Sequence, residues 1–518
     1  MWHTFTYHNH TIYIATKAWS DFAATLPLAR SFAWGNNFPP QDPLFAGEPL
    51  HYHLFFYFLV GLLEKAGLQL DLALNGLSTL GFTGLLIAIY TLAKFLFDKK
   101  SVALLGVILF LFNGSLSFME YFKKHPFSLT TLKAITTNDT FPSFGPYDGK
   151  IVSAFWNLNI YTNQRHLAFA FTLIIILMLL LLIPIKKDKK ISSRLAVLTG
   201  IFLGLLPFIH SVGFFSSFVI ISMFFVFFPR YRKAIFITLS IGALLGFPQL
   251  FQMKPGGVSQ QFRVKIGYLT SNTLTVKNFI YYWAANLGLG FFLIPFGFFV
   301  SNRFAKKVFF SFAVLFVIGN FFQFSREMAA NHKFFSLFII LANIFSAYSL
   351  WFISKRNFFG KIFAAVLLFF LVFSGIIDFF AVKNDSYIAL ADAPLSPDIS
   401  WIKNNTLPQS NFLNSSYLYH PANLAGRKIF LGWPYFSWSG GLDTDNREKT
   451  RKNLLETTND KQIVCRQLNL AKIDYIALGE ISPEDLKPNY KFWQKNFVLV
   501  YNNPQTKLKI YSVNESCP

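Results

Sequence analysis

Acidic side chains are scarce in this chain: 25 Asp and Glu stand against 47 Lys and Arg in 518 residues, for a formal charge of +22. Cysteine is scarcer, with Cys465 and Cys517 alone, and the sequence leaves open whether they pair. No CxxC pair, HExxH motif or Gly-rich phosphate loop occurs. Thioredoxin-like, zincin and P-loop chemistries therefore have no footing. No internal repeat is visible, which excludes a solenoid. Met1 to Lys17 has neither a basic leader nor a long apolar core, so it is not a signal peptide. Charged residues of either sign reach only 14 %, few for a large soluble protein.

What fills the space is apolar. Hydrophobic residues make up 53 % of the chain and 66 of them are Phe, with a mean hydropathy of +0.40. One soluble core could not hide that much. Runs long enough for roughly 30 Å of hydrocarbon lie at Leu74–Phe97, Ser101–Tyr121, Leu167–Ile185, Leu195–Ile209 and Val212–Phe228. They continue at Ala234–Leu250, Phe279–Val300, Val308–Phe324, Phe334–Ile353 and Ile362–Val382. The expected fold class is an all-α polytopic membrane protein of about ten transmembrane helices, with a small C-terminal α/β domain.

Basic residues collect in every second connection: Lys99-Lys100, Lys186 to Lys190 with Arg194, Arg230 to Lys233, Arg303 to Lys307, and Lys355 to Lys361. Positive loops stay cytoplasmic, so the other connections and the tail face outward. Much of the positive charge is thus accounted for by topology, and nucleic acid is not an expected partner. Residues 1–73 read as an extracytoplasmic first loop with interfacial helices, the short apolar segment His51–Gly67 lying along the outer interface. Residues 74–382 form the membrane domain and 383–518 the extracytoplasmic domain. An outward N-terminal stretch normally follows a signal or a span. A missing first helix, unassisted translocation, or reversed parity would each account for the lack of one here.

The tail loses the Phe runs and gains Asn, Asp, Lys, Pro and Ser. Strand-like runs at Lys428–Leu431, Ile473–Leu478, Phe497–Tyr501 and Leu508–Val513 alternate with helical stretches at Arg447–Glu456 and Lys461–Asn469.

An Asp in the first outer loop, Asp21, precedes Gly35-Asn36-Asn37-Phe38-Pro39-Pro40 and Gly47-Glu48-Pro49-Leu50-His51-Tyr52-His53. Many spans follow, then a tail with a block from Gly426 to Gly441 (GRKIFLGWPYFSWSGG) and Ile473-Asp474-Tyr475-Ile476. This layout resembles the GT-C superfamily of membrane glycosyltransferases. Within it the chain is similar to uncharacterised bacterial and archaeal membrane proteins near the protein mannosyltransferases (PMT) and the lipid A aminoarabinose transferases. It departs from the pattern in lacking a first span and in having one Asp at Ser20-Asp21 where PMT-type enzymes carry an acidic pair. The resemblance implies inverting transfer of a sugar from a polyprenyl-phosphate carrier to a glycan, lipid or protein acceptor at the outer face of the plasma (cytoplasmic) membrane.

That chemistry needs a base for the acceptor proton and cations for the leaving phosphate. Asp21 is the candidate base, against a plainer reading as a helix cap or solvated loop acid. Candidate phosphate contacts are Arg165 and His166 in one outer cluster and Arg326, His332 and Lys333 in another, and His53 of the first outer loop is a separate candidate for phosphate or acceptor hydrogen bonding. Arg165 and Lys333 also suit ordinary interfacial anchors. Glu327 and Glu48 are candidate second acids. Asp21, Glu48 and His51 are weak candidates for a divalent cation, Mg or Mn, the one cofactor the pattern admits. His210 reads as an interface histidine. Trp19, Trp34 and Trp156, and Trp433, Tyr435 and Trp438 in the tail, offer stacking surface for sugar or a seat on the membrane part. The competing readings are a transporter or flippase of a lipid-linked or polar substrate, and a non-catalytic accessory membrane protein.

Overall fold

A computed structural model describes residues 1–144, 151, 158–253, 262–270, 273–458, 460–479 and 486–517; Trp156 lies outside them. The chain divides into two compact units, one drawn from residues 77–386 and the other from Trp2–Gly76 together with Tyr387–Pro518.

The first unit is helical. All ten apolar runs carry helix, and among the described residues six single helices are long and apolar enough to cross a membrane: Leu70–Phe97, Arg165–Lys186, Pro229–Gln252, Arg303–Phe321, Met328–Ser354 and Phe358–Lys383. Lys100–Leu111, Ser193–Ile209 and Ser211–Phe227 are shorter apolar helices. Their side chains sort by depth. In the best window of Met328–Ser354, 72 % of residues are buried by protein, against 22 % in Pro229–Gln252. Outer helices leave Phe236, Leu244, Phe358 and Phe369 exposed, a surface that only hydrocarbon makes inexpensive.

Two of the expected spans are interrupted, each for a local reason. The run Ser101–Tyr121 stops at Leu111 and restarts as the helix Ser117–Lys124. In the gap, Ser374 Oγ donates to Ser115 O at 2.6 Å and Phe118 N donates to Ser374 Oγ at 3.1 Å. A neighbouring side chain thus replaces the helical ladder. The run Phe279–Val300 is two helices, Val276–Leu287 and Gly290–Val300, bent by 85°. The break falls at Gly288, whose φ of +55° is left-handed and suits glycine. Close packing by small residues holds Ser193–Ile209 to Arg232–Gln252: a Cβ on Gly204 would lie 2.6 Å from Leu245 Cβ, and Thr199 and Thr238 share a hydroxyl hydrogen bond of 2.9 Å.

The second unit contains two sheets. The smaller pairs Phe5–His8, Thr11–Ala15 and Tyr387–Ala391 in that order, all antiparallel. Its hairpin turns at Asn9-His10, both left-handed (φ 48° and 54°), which gives the chain twist that a two-residue hairpin needs. Asp71 and Asn75, at the start of Leu70–Phe97, bind this hairpin's backbone: Tyr7 N donates to Asp71 Oδ2 at 3.2 Å and Asn75 Nδ2 to Phe5 O at 2.8 Å. Beyond the hairpin, Trp19–Trp34 is a helix rather than open loop.

The larger sheet has five strands in the order Lys428–Ile429, Asn411–Asn414, Tyr475–Leu478, Leu508–Ser512, Val498–Asn503. Asn411–Asn414 runs parallel to both neighbours and the other pairs are antiparallel. Alternation along the strands fills two cores: Leu413, Ile476 and Leu478 pack with Trp493 and Cys465 in one, Phe412, Ala477 and Ile510 with Ile399 and Ile402 in the other. Cys465 and Cys517 are disulfide-bonded and tie the helix Lys461–Leu470 to the chain beyond the last strand.

A buried ion network joins the early and late segments of this unit. Arg30 Nη2 donates to Asp392 Oδ2 at 2.6 Å, and Nη1 to Asp392 Oδ1 and Leu424 O, each at 3.2 Å. Its Nε approaches Glu64 Oε1 at 2.9 Å, an ion contact without hydrogen-bond alignment. The Arg30 and Asp392 side chains are 1 % exposed and that of Glu64 6 %.

Candidate functional site

The candidate residues fall into both units. In the second, Asp21 occupies the first turn of Trp19–Trp34 and is half-buried. Its carboxylate acts electrostatically on two phenols, Tyr52 and Tyr419. Burial is the larger reason that both phenols are pushed up from their usual value, and the Asp21 charge adds to it. Tyr52 keeps 36 % of its surface exposed. The Tyr52 ring lies 3.8 Å from that of buried His53. Tyr419 Oη donates to Trp19 O, tying the tail to the turn that carries Asp21. Tyr419 does not stand out in the sequence, because it meets Asp21 from nearly four hundred residues away.

Glu48 keeps different company. Its charge and that of Asp42 face Arg447, whose Nε donates to Phe430 O at 3.0 Å and whose Nη2 donates to Ala46 O. The guanidinium also stacks on Phe430 at 3.9 Å. His51 is partly buried, and neither ring nitrogen has a hydrogen-bond partner among the described residues.

In the first unit a basic cluster forms where several helices begin or end. His166 follows Arg165 at the start of Arg165–Lys186, and His210 sits between Ser193–Ile209 and Ser211–Phe227. The two imidazoles stack with centroids 5.5 Å apart and planes 25° from parallel. His332 and Lys333 open the helix His332–Ser354, and their charges act on both His166 and His210. Asn331 fixes that helix start by donating from Nδ2 to Gly319 O at 2.9 Å and to Phe322 O at 2.6 Å.

Local hydrogen bonds set two of the tautomers. Gly213 N donates to His210 Nδ1 at 2.8 Å, so neutral His210 carries its proton on Nε2. His332 donates from Nδ1 to Ala329 O at 2.9 Å, which leaves Nε2 as its basic nitrogen. Neutral His210 thus presents an N–H at Nε2, whereas Nε2 of His332 is an acceptor. His210, an interface histidine by sequence, belongs to this cluster; the signal was its place after Pro207 at a helix junction.

Arg165 is buried and engaged within the protein: Nε donates to Thr162 O at 2.6 Å, Nη2 to Met1 O at 3.1 Å and Nη1 to Met1 Sδ at 2.8 Å. Arg326 and Glu327 lie partly buried in the turn before Met328, where Gln323 Nε2 donates to Arg326 O at 2.9 Å.

No protein family and no curated protein sequence matches the chain. Two solved structures are similar to it. One is an Archaeoglobus fulgidus oligosaccharyltransferase tethered with an acceptor peptide, with a TM-score of 0.48 and 11 % identity over 96 % of this chain and 70 % of that one. The other is ArnT from Cupriavidus metallidurans in the apo state, with a TM-score of 0.48 and 10 % identity over 95 % and 93 %.

Proposed function

We propose that this chain is a membrane glycosyltransferase that moves a sugar from a polyprenyl-phosphate donor to an acceptor at the outer face. The observation that carries the reading is the convergence of Lys333, His210, His166 and His332 at one end of the helical unit. A lipid carrier presents its phosphate at the membrane boundary, and a cation with N–H donors in a setting of low dielectric is what a leaving phosphate requires.

In the proposed reaction the acceptor attacks the anomeric carbon, the bond from that carbon to the phosphate oxygen breaks, and the acceptor proton passes to Asp21. The polyprenyl phosphate leaves with the electron pair, held by Lys333 and the Nε2–H of His210. Inversion follows from a single displacement. Asp21, Glu48 and His51 remain the proposed candidates for holding Mg or Mn. The Cys465–Cys517 bridge supports an outward second unit, because structural disulfides persist on the oxidising side of a membrane.

The test uses undecaprenyl phosphate as probe, with the full chain in lipid nanodiscs and native mass spectrometry as readout. Lys333→Met is expected to weaken retention of the phosphate tenfold or more, the worth of a charge-assisted hydrogen bond, and to leave neutral undecaprenol unaffected. Asp21→Asn should keep the lipid and lose transfer. Equal retention by wild type and Lys333→Met sinks the reading.

One observation favours a second reading. The 85° bend at Gly288 is a broken helix of the kind that transporters use to build a path. Movement of a fluorescent polyprenyl phosphate across vesicles by the Asp21→Asn chain would support a flippase.

A further inference from the structure

The loop after the helix Trp19–Trp34 and one edge of the five-stranded sheet enclose a polar cleft of about 260 Å³ within the second unit. Asn36, Gln41, Gln409 and Asn411 supply amides to it, Lys428 supplies an ammonium, and Phe38 stands at its rim. No carboxylate is among the lining residues, so the cleft is not made for a metal ion.

Its geometry is held from beneath. Buried Asn37 donates from Nδ2 to Ser31 Oγ at 3.0 Å and to Gln41 O at 2.8 Å, and its Oδ1 accepts from Gln41 N at 2.9 Å. These three bonds close the turn across residues 37–41 and hold Phe38 out with 72 % of its surface exposed. A lone exposed Phe is ordinary. One fixed at the mouth of a cleft walled by amides is a platform.

The amides also have unused capacity. Among the described residues the Gln41 side chain makes no hydrogen bond. Asn411 donates from Nδ2 to Lys472 O at 2.8 Å, and its buried Oδ1 has no partner. Lys428 Nζ gives one hydrogen to Gln409 O at 3.0 Å, leaving others for a ligand.

We propose that this cleft binds a saccharide. A hydroxyl both donates and accepts, and a carboxamide sets one donor beside one acceptor, so a row of amides matches neighbouring hydroxyls on a sugar ring. The C–H face of a pyranose is apolar and fits the Phe38 ring. The argument rests on the cleft and not on transfer, and it would give the transferase reading a glycan as the bound acceptor or product.

The test is saturation-transfer NMR on the full chain in lipid nanodiscs, which avoids maltoside detergents that are themselves sugars. The probes are cellotetraose, maltotetraose, chitotetraose and mannotetraose, with an unglycosylated decapeptide as control. At least one tetrasaccharide is expected to receive saturation from the protein. Phe38→Ala should weaken that binding about tenfold, the upper range for a ring contact, and Gln41→Ala should weaken it too. Lys333→Met should bind the sugar as wild type does, which separates this inference from the phosphate site. Absence of binding by all four sugars, binding indifferent to Phe38 and Gln41, or a Phe38-dependent signal from the decapeptide alone would overturn it.

Discussion

Replacing Arg30 by Met would leave two buried acids facing the gap where a cation had been. In the native unit Arg30 meets Asp392 at 2.6 Å and Glu64 at 2.9 Å, with all three side chains at most 6 % exposed. A unit-charge pair at about 4 Å is worth roughly 4 kcal/mol at an effective dielectric of 20. Desolvation of the three groups offsets much of the sum, and breaking such a site from one side costs about 3–5 kcal/mol. The variant's loss should therefore fall in that range at pH 7. It should also depend on pH in a stated direction. Burial already pushes the Glu64 carboxyl up and Arg30 holds it down; with Arg30 gone Glu64 binds its proton more tightly folded than unfolded. Stability is then kept at low pH and lost as pH rises through the raised value of Glu64. Adding Glu64→Gln and Asp392→Asn to the Met variant removes both charges and should recover all but about 2 kcal/mol, since a neutral buried set can match an ionic one. Hydrogen exchange at the amides of Trp19–Trp34 and Tyr387–Ala391, corrected for intrinsic rates, reads the opening free energy locally. A change under about 1 kcal/mol for Arg30→Met, at the level of an ordinary surface substitution, or a triple variant no better than the single one, would refute the reasoning.

Two further outcomes follow from the second unit. Burial pushes the Asp42 carboxyl up to about 6, against the Leu44 N–H and Arg447 that pull it down. The raised acid contributes stability below about pH 4 that is lost as pH rises to about 6, at most about 3 kcal/mol. Asp42→Asn, which keeps an acceptor for Leu44 N, should flatten that slope in hydrogen exchange, and an unchanged slope would count against it. Changing Cys465 and Cys517 together to Ser frees a loop of sequence separation 52. By loop entropy this should cost up to about 4 kcal/mol, seen as a lower melting temperature under non-reducing conditions; an unchanged melting temperature would show that the bridge adds nothing.

The helices of the first unit were legible because a hydrocarbon-length apolar run has few alternatives to helix. Their interruptions were not. The bend at Gly288 and the gap filled by Ser374 depend on residues that meet only once the helices pack. The strand Asn411–Asn414 (NFLN) is too short and polar to show an alternating pattern, and Phe5–His8 with Thr11–Ala15 gains its third partner from Tyr387–Ala391. In the site, residue types were readable but companions were not. The sequence marked His166, His332 and Lys333, yet it could not place His210 against His166, nor bring Tyr419 to Asp21. Glu48 sat close to Asp21 in sequence but shares its field with Asp42 and Arg447.

The small sheet imposes an order on synthesis. Thr11–Ala15 leaves the ribosome hundreds of residues before Tyr387–Ala391, the strand that completes its pairing, and the six long apolar helices from Leu70–Phe97 to Phe358–Lys383 lie between them. The hairpin must wait with one edge unpaired while those helices insert, and an open strand edge invites wrong partners. Closure of this sheet therefore certifies that everything between has been made and inserted. A misinserted helix would show itself as an unclosed strand near the start of the chain, where a quality-control protease could find it.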